Sequence, residues 1–259
     1  MSAAEDELLA VAHEAARASA GELMARFGHR QRDIRSKSGP TDLVSEADVS
    51  AEAAIRRVLA QRRPDDAILG EEGGETGDGD LRWVIDPLDG TINFLFEIPL
   101  FAVSVACEDR DGTVVGVVLD PVRDELFAAT RSGPPTLNRV EIAGSGRDDL
   151  SRALVATGFS YDAGVRAKQA VAVSRVLPRV RDIRRGGAAA LDLVWCACGR
   201  YDAYYERGVK AWDIAAGSLI AQRAGLAVRD LPDGEDGPHG LLAAPPAVVD
   251  ELLGLVLGS

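Results

Sequence analysis

The sequence predicts a layered α/β protein. Three observations support this fold class: two segments with helical apolar spacing open the chain, a block of short apolar runs follows, and strand-like and helix-like segments alternate after about residue 150. The 259 residues, 46% of them hydrophobic, suffice for a large core. No clear linker interrupts the chain, so we expect a single domain over residues 1–259, with one half to about residue 145 and the other from about residue 146.

The first half is expected to contain helices, an antiparallel sheet and one glycine-rich loop. Helical spacing of apolar residues covers about residues 5–27 and 45–62. The acidic segment 73–80 is predicted to be a flexible loop, and TINFLFE at 91–97 a short helix. Apolar runs predict strands at residues 67–72, 82–86, 101–107, 113–120 and 124–130.

The second half is expected to alternate strands and helices. Strand-like runs lie at 153–158 and 203–206, and one further short strand precedes the last helix. Helical patterns lie at residues 165–177, 188–199, 213–225 and 246–258.

The composition limits which cellular compartments and binding partners are compatible with the chain. The formal net charge of −12 argues against a nucleic-acid polymer or an anionic membrane, because both would repel the chain. The first residues are acidic where a secretory signal would be basic, and no apolar stretch reaches the roughly 18 residues of a membrane span. We therefore expect a cytoplasmic protein. Cys107, Cys196 and Cys198 lie in apolar surroundings and are expected to be buried free thiols.

Acidic residues follow two of the predicted strands. Glu71 and Asp86 stand where these strands stop, and Asp89 follows one turn later, so the three carboxylates can project from one edge of a sheet. Oxygen ligands of this kind suit Mg²⁺, which keeps positions for water or phosphate oxygens. The segment DPLDG at 86–90 could also be a proline-containing turn without a site.

A glycine and a helix start follow these acids. Gly90 and Thr91 begin the predicted short helix, whose N–H groups favour phosphate, and glycine lets an anion approach the backbone. Asp213 stands at the start of another predicted helix. It could be the N-cap of that helix, a metal ligand or both. Asp48 falls on an apolar helical stripe, so it either lies near the surface in the first turn, where it could form a capping box with Ser45, or finds a donor such as a threonine hydroxyl.

These segments together resemble the signature motifs of the inositol monophosphatase family of Mg²⁺-dependent, lithium-sensitive phosphatases. The matching segments are KSGPTDLVSEAD (37–48), GEE (70–72), WVIDPLDGTINF (83–94), GAAALDL (187–193), DAYYERG (202–208) and WDIAAGSLIAQRAG (212–225). The resemblance spans nearly the whole chain. It implies an α/β/α/β/α layered sandwich, like that of inositol monophosphatase and fructose-1,6-bisphosphatase, usually assembled as a homodimer.

The resemblance also implies a set of metal ligands. Glu71, Asp86 and the carbonyl of Leu88 would hold the first Mg²⁺, while Asp86, Asp89 and Asp213 would hold the second. A third, weaker Mg²⁺ would lie near Glu71. Metal ions arranged in this way would activate water for direct in-line attack on a phosphomonoester, without a phosphoenzyme.

Catalytic and substrate-binding roles follow from the same resemblance. The catalytic residues would be Glu71, Thr91 and Asp48, with Asp48 orienting the Thr91 hydroxyl that helps to deprotonate the attacking water. The residues implied to contact the substrate are Gly90, Thr91, Gly187, Ala188, Glu206 and Asp213. The amides of the first two would take phosphate oxygens. Glu206 would accept hydrogen bonds from substrate hydroxyls, unless it is an exposed carboxylate at a strand end.

The sequence leaves the substrate open. Glu206 favours inositol monophosphate or another small sugar or polyol phosphate, because a carboxylate accepts hydroxyl hydrogen bonds. Arg184 and Arg185 could instead favour a second phosphate, or they could simply pair with surface acids. Family members hydrolyse fructose 1,6-bisphosphate, 3′-phosphoadenosine 5′-phosphate or histidinol phosphate. A non-catalytic metal-binding protein is a further alternative. Lys37 and Asp42 would lie in a loop near the third metal ion or on the solvated surface.

Overall fold

Two β-sheets and three helical layers alternate through the protein. The computed structural model describes residues 2–29, 35–36, 43–44, 46–234 and 237–258. Its α-helices are α1 (Ala3–Met24), α2 (Glu46–Arg62), α3 (Thr91–Leu95), α4 (Ala163–Val176), α5 (Ala189–Ala197), α6 (Ala211–Arg223) and α7 (Val249–Leu257). Its strands are β1 (Arg35–Ser36), β2 (Leu43–Val44), β3 (Ala67–Gly70), β4 (Gly74–Thr76), β5 (Arg82–Asp89), β6 (Ala102–Asp109), β7 (Gly112–Asp120), β8 (Glu125–Thr130), β9 (Thr136–Leu137), β10 (Val140–Glu141), β11 (Leu154–Thr157), β12 (Asp182–Arg184), β13 (Ala203–Arg207), β14 (Ala227–Leu231) and β15 (Gly240–Ala244).

The larger sheet has the strand order β10-β9-β8-β7-β6-β5-β3-β4, and the smaller has the order β12-β11-β13-β15-β14. In the larger sheet β3 pairs with β5 in parallel and the other pairs are antiparallel. In the smaller sheet β11 runs parallel to both β12 and β13, and the helices α4 and α5 make the crossovers that parallel strands need. A separate antiparallel pair joins β1 and β2.

Side-chain alternation along the strands divides the core between the helical layers. In β5, Trp83 and Ile85 pack with α1 and α2, whereas Val84 points to the opposite face and packs with α5 and α6. Helices α5 and α6 also cover one face of the smaller sheet, and α4 and α7 cover its other face. The resulting order of layers is α/β/α/β/α, which confirms the predicted fold class.

The first helix shows how local sequence sets an element boundary. Ser2 is the N-cap of α1, and its hydroxyl accepts a hydrogen bond from the Glu5 amide at 3.2 Å. The Glu5 carboxylate accepts one in return from the Ser2 amide at 3.0 Å. This capping box satisfies amides that have no partner within the helix. Leu8, Val11 and Leu23 then bury one face of the helix against the larger sheet and α2.

Several predicted elements differ from the observed ones. The expected flexible loop at 73–80 contains β4, which pairs with β3. Strand β5 does not stop at Asp86 but continues to Asp89, with a register shift between the two residues. Pro87 lies within that shift and has no N–H to give to the ladder, so pairing resumes only beyond it. Two strands, β14 and β15, precede the last helix where one was expected, and the short strands β9, β10 and β12 were not anticipated.

The remaining expectations concern the cysteines, a membrane span and the segment around residues 37–45. The three cysteines are free, with Cys107 and Cys196 buried and Cys198 partly buried. No helix in the described ranges is long and apolar enough to cross a membrane. The predictions for Lys37 and Asp42, and the capping box with Ser45, fall outside the described residues.

Candidate active site

A cleft of about 730 Å³ opens where the end of β5 faces the first residues of α3, α5 and α6. Most of the predicted site residues line this one cleft: Glu71, Asp86, Asp89, Gly90, Thr91, Gly187, Glu206 and Asp213. They come from both sheets and from separate parts of the chain. The fold therefore brings together the acids that the sequence spreads over 143 positions, from residue 71 to residue 213.

Backbone N–H groups hold the two aspartates of β5 in place. The Oδ1 atom of Asp86 accepts a hydrogen bond from the Leu88 amide at 2.9 Å. Asp89 accepts from the amides of Ala189 at 3.2 Å and Ala190 at 2.7 Å, so it caps α5 from about 100 residues away. Ser19 in α1 donates to the Pro87 carbonyl at 3.1 Å from the other side. These contacts fix the direction in which both carboxylates enter the cleft.

Asp213 reaches the cleft from the first turn of α6. The helix begins two residues earlier than predicted, so the N-cap position belongs to Lys210 and the prediction of Asp213 as N-cap is wrong. Its carboxylate instead bonds back to the Lys210 amide at 2.6 Å. Ser104 of β6 donates to the Trp212 carbonyl at 3.0 Å and so ties this helix start to the larger sheet.

Burial and mutual repulsion dominate the electrostatics of the cleft. Burial, followed by the charges of Glu71, Asp89 and Asp213, raises the pKa of Asp86 well above its usual range. Burial raises the pKa of Asp89 to about 7, and the amides of α5 oppose this rise. The pKa of Asp213 rises to about 8, mainly by burial and then by the charge of Asp89. At neutral pH such a cluster is stabilised by protons or by cations.

The donor set of the cleft suits a hard divalent cation. The backbone N–H groups of Leu88, Ala189 and Ala190 donate to Asp86 and Asp89, and carboxylate lone pairs remain available toward the cleft. Within the described ranges no three His, Cys, Asp or Glu side chains already form a closed metal cage.

Thr91 lies at the floor of the cleft beside a buried acid. Its Oγ1 is within hydrogen-bond distance of Asp48 Oδ1, at 3.0 Å, and of the Leu88 carbonyl, at 3.1 Å. Asp48 is 0% exposed and lies behind Thr91 rather than in the cleft wall. Gly90 precedes Thr91 with φ of 91°, and a Cβ at this position would lie 3.0 Å from the Leu100 carbonyl oxygen. Only glycine fits this turn without strain.

Glu206 enters the cleft from β13. The Tyr204 hydroxyl donates to its Oε2 at 2.8 Å, and burial raises the pKa of Glu206 to about 7. Gly158 lies directly behind the carboxylate, since a Cβ there would be 1.9 Å from Glu206 Oε2. Glu206 is therefore a cleft residue and not an exposed carboxylate at a strand end.

Some predicted residues lie outside the cleft wall. The side chain of Leu88 is buried, and its carbonyl faces Thr91. Ala188 is buried as well, and the neighbouring Ala189 lines the cleft in its place. Of the two arginines, Arg185 lines the cleft, whereas Arg184 is exposed and pairs with Asp182 at 2.6 Å.

Sequence reasoning did not identify three supporting side chains. Tyr204 stands two residues before Glu206 on one strand, so the period-two rule could have placed both on the same face. Asn93 joins α3 to the loop before α5 by donating to the Leu100 carbonyl at 2.7 Å and the Gly186 carbonyl at 3.0 Å. Glu52 of α2 contacts the loop after β3, and no sequence pattern links these two segments.

The chain is similar to several known proteins over nearly its whole length. The model of the inositol monophosphatase family matches residues 4–254. A protein from Mycobacterium tuberculosis named inositol-1-monophosphatase SuhB is 45% identical over 242 residues, which cover 89% of this chain and 83% of that protein. One from Pasteurella multocida named Nus factor SuhB is 41% identical, covering 95% of this chain and 94% of that protein. The crystal structure of the extragenic suppressor protein SuhB from Bartonella henselae superposes with a TM-score of 0.88 at 35% identity, covering 96% of this chain and 98% of that one.

Proposed function

The chain belongs to the inositol monophosphatase family and is a phosphoric monoester hydrolase of small phosphorylated substrates, and we propose that it is a Mg²⁺-dependent phosphatase of inositol monophosphate or a related polyol phosphate. One observation carries the proposal. Four acids, Glu71, Asp86, Asp89 and Asp213, line a single cleft together with Gly90 and Thr91 at the start of α3. This combination offers metal ligands and phosphate-binding amides side by side.

Each carboxylate has a proposed place in the metal site. Glu71, Asp86 and the Leu88 carbonyl would hold one Mg²⁺, and Asp86, Asp89 and Asp213 would hold another, with Asp86 shared. A third ion would bind more weakly near Glu71. Bound Mg²⁺ would supply positive charge and Lewis acidity at the phosphoryl oxygens. The raised pKa values of Asp86, Asp89 and Asp213 support this assignment, because a bound cation offsets both the burial and the mutual repulsion that raise them.

The side chains of the chain itself would orient the reactants. Asp48 can keep the Thr91 hydrogen directed toward itself, so the remaining lone pairs of the hydroxyl can accept a hydrogen bond from the attacking water. Glu71 would share in removing the proton of that water. The amides of Gly90 and Thr91 would receive phosphate oxygens, and the missing Cβ at Gly90 allows close approach.

The substrate hydroxyls would bind at the opposite wall. Glu206 would accept hydrogen bonds from them, supported by its contact with Tyr204 and its position in the cleft. Gly187, Ala188 and Asp213 would lie beside the same part of the substrate, with Ala188 acting through the backbone because its side chain is buried. A polyol satisfies a buried carboxylate without adding negative charge, which favours inositol phosphate over a bisphosphate.

Arg185 supports the main alternative substrates. Its side chain lines the cleft and could pair with a second phosphate, as in fructose 1,6-bisphosphate or 3′-phosphoadenosine 5′-phosphate. Histidinol phosphate is a further candidate. A non-catalytic metal-binding role is the least supported alternative, because each proposed metal ligand is present in the chain.

The proposal extends to assembly and location. We propose a homodimer inhibited by Li⁺ and located in the cytoplasm. Phe96 and Ile98 are 70% and 45% exposed after α3, and exposed apolar side chains of this kind are often covered by a partner. We also propose that both halves act as one domain, because Asp86 from the larger sheet and Glu206 from the smaller sheet share the cleft. Sedimentation velocity tests the dimer.

The experiment that tests the activity is phosphate release from a panel of substrates. The panel contains inositol 1-phosphate, fructose 1,6-bisphosphate, 3′-phosphoadenosine 5′-phosphate and histidinol phosphate, each with Mg²⁺ and with a chelator. We expect rapid, Mg²⁺-dependent release from inositol 1-phosphate, and none from Asp86→Asn, whose circular dichroism should remain that of the folded protein. Preference for another substrate would change the substrate assignment, and activity of Asp86→Asn would overturn the site assignment.

A further inference from the structure

Helix α2 presents a row of polar side chains toward the end of the larger sheet. Asp48, Glu52 and Arg56 are four residues apart, so they lie above one another on one face of the helix. Asp48 and Glu52 are buried, with exposures of 0% and 2%. Asp48 contacts Thr91, as described above. The other two contact a different segment of the site, and the proposed chemistry does not use them.

Glu52 holds the hairpin loop that carries Glu71. Its Oε2 accepts a hydrogen bond from the Glu72 amide at 2.8 Å, and its Oε1 accepts one from the Gly73 amide at 2.8 Å. Residues 71–73 connect β3 to β4, and Gly74 follows with φ of 64°, a conformation typical of three-residue hairpin loops. Both carboxylate oxygens are thus committed to the two amides that follow Glu71.

Arg56 completes the contact from the other end of the hairpin. Its Nε donates to Glu52 Oε1 at 2.7 Å, its Nη2 to the Gly74 carbonyl at 2.8 Å and its Nη1 to Thr76 Oγ1 at 3.1 Å. One guanidinium therefore joins the acid on the helix to the outgoing strand of the hairpin. This planar fork cannot be reproduced by lysine.

Two glycines allow this close approach. A Cβ on Gly70 would lie 2.7 Å from Glu52 Oε1, and a Cβ on Gly73 would lie 2.6 Å from the same atom. Any larger residue at either position would push the carboxylate away from the loop. Glycines on both sides of Glu71 therefore let the hairpin pack closely against Glu52 of α2.

We propose that Glu52 and Arg56 are positioning residues that fix Glu71 in the cleft for metal binding. The proposal rests on the metal site described under the proposed function. Glu71 faces three other acids, and without a cation their repulsion would move a free loop outward. Contacts to the loop amides oppose this movement, so the site is assembled before the metal arrives. Supporting residues that orient metal ligands affect metal affinity by roughly 10- to 100-fold when mutated.

The test compares metal binding by Glu52→Gln with that of a matched control. Glutamine keeps the shape but has one acceptor oxygen, so one loop amide loses its partner. Asp120→Asn is the control, because Asp120 is equally buried and accepts from two amides, those of Val122 and Arg123, and from the Arg123 guanidinium. Asp120 does not line the cleft. Both variants should lower the melting temperature.

Binding is measured with Mg²⁺ alone by titration calorimetry and with Tb³⁺ by luminescence, well below the melting temperature of each variant. We expect roughly tenfold or greater weakening for Glu52→Gln and no change for Asp120→Asn. Arg56→Lys should also weaken Mg²⁺ binding. Because the Arg56 side chain is partly exposed, this variant replaces Glu52→Gln in the test if Glu52→Gln does not fold. If the folded Glu52→Gln and Arg56→Lys variants bind Mg²⁺ as tightly as the wild type, the inference is overturned. It is also overturned if Asp120→Asn weakens binding as much as they do. Either result leaves the proposed function intact. Absence of Mg²⁺ binding by the wild type overturns the proposed function and the inference with it.

Discussion

The Thr91 hydroxyl oxygen lies 3.0 Å from Asp48 Oδ1, although the two residues are 43 positions apart in the chain. Asp48 is a buried acid in the first turn of α2, and Thr91 is the first residue of α3. The contact therefore joins an acid that solvent does not reach to a hydroxyl at the cleft floor. It agrees with the pairing that the resemblance implied, whereas the catalytic role of the pair stays a prediction.

The first prediction concerns this pair. Thr91→Val removes the hydroxyl while keeping the side-chain shape, so kcat should fall about 100-fold or more with little change in KM. Thr91→Ser should retain most of the activity. Asp48→Asn should lower kcat in the wild-type background but add little to Thr91→Val, because both act through one hydrogen bond. Steady-state kinetics of the four variants measure this, and simple additivity of the two effects would contradict it.

The second prediction concerns pH and metal removal. The folded, metal-free protein holds Asp89 and Asp213 with pKa values of about 7 and about 8, above the 3.8 of the unfolded chain. Between these values the folded state binds more protons than the unfolded state, so its stability falls as pH rises from about 4 to about 8. Cations replace the protons. Mg²⁺ should therefore raise the melting temperature more at about pH 8.5 than at about pH 6.

Differential scanning calorimetry with Mg²⁺ and with a chelator measures this difference. Asp86→Asn is the control, because it removes the acid whose pKa is raised by burial and by the charges of the other three acids. In the chelator this variant should melt higher than the wild type at about pH 8, and Mg²⁺ should stabilise it less. An equal Mg²⁺ effect at both pH values would argue against a metal site formed by these acids.

The third prediction concerns the substrate wall. Gly158→Ala places a Cβ 1.9 Å from Glu206 Oε2, so the carboxylate must move away from the Tyr204 hydroxyl. Discrimination between inositol 1-phosphate and a phosphate without ring hydroxyls should fall roughly tenfold, as expected for loss of one hydrogen bond to a charged group. Glu206→Gln should show the same direction. Ratios of kcat/KM for the two substrates measure it, and unchanged ratios in both variants would exclude this role for Glu206.

The fourth prediction concerns a buried acid outside the proposed chemistry. Asp192 in α5 is 0% exposed, and neither of its oxygens has a hydrogen-bond partner among the described residues. Burial, then the charges of Glu206 and Asp89, raises the pKa of Asp192 well above its usual range. Stability is therefore lost as pH rises from the unfolded-state pKa toward this raised value. Asp192→Asn removes that loss and should stabilise the protein by about 1–3 kcal/mol near pH 8.

The gain from Asp192→Asn should shrink as the pH falls toward about 3, below the pKa of 3.8 in the unfolded chain, because the carboxyl is then mostly protonated in both states. Asp202 provides the matched control, because it is also buried but accepts from the Leu154 amide at 2.7 Å and from Arg147 at 3.2 Å. Asp202→Asn should destabilise at neutral pH. Urea unfolding at several pH values measures both, and a loss of stability in Asp192→Asn at pH 8 would contradict the prediction.

Much of the secondary structure could be predicted from local patterns. Helical spacing of apolar residues placed α1 and α2 within a few residues of their ends, and apolar runs placed β6, β7 and β8. The errors occur where pairing with a neighbouring strand, and not the local sequence, determines whether a segment is a strand. β4 is polar and its three residues are exposed, and it is a strand because β3 pairs with it. β5 continues past Pro87 because β6 pairs with it again at Asp89.

Some features of the candidate site could likewise be predicted from the sequence, and others could not. Sequence motifs predicted Glu71, Asp86, Asp89 and Asp213 as site residues, because acids beside glycines and helix starts are local features, and the structure places all four in one cleft. Sequence by itself determined which chemical groups are present and where along the chain they occur. Only the tertiary structure decided that Asp89 caps α5, that Gly158 supports Glu206 and that Glu52 holds the loop of Glu71. The physical reason is that these contacts join residues tens of positions apart, whose meeting depends on how whole sheets and helices pack and not on any spacing in the sequence.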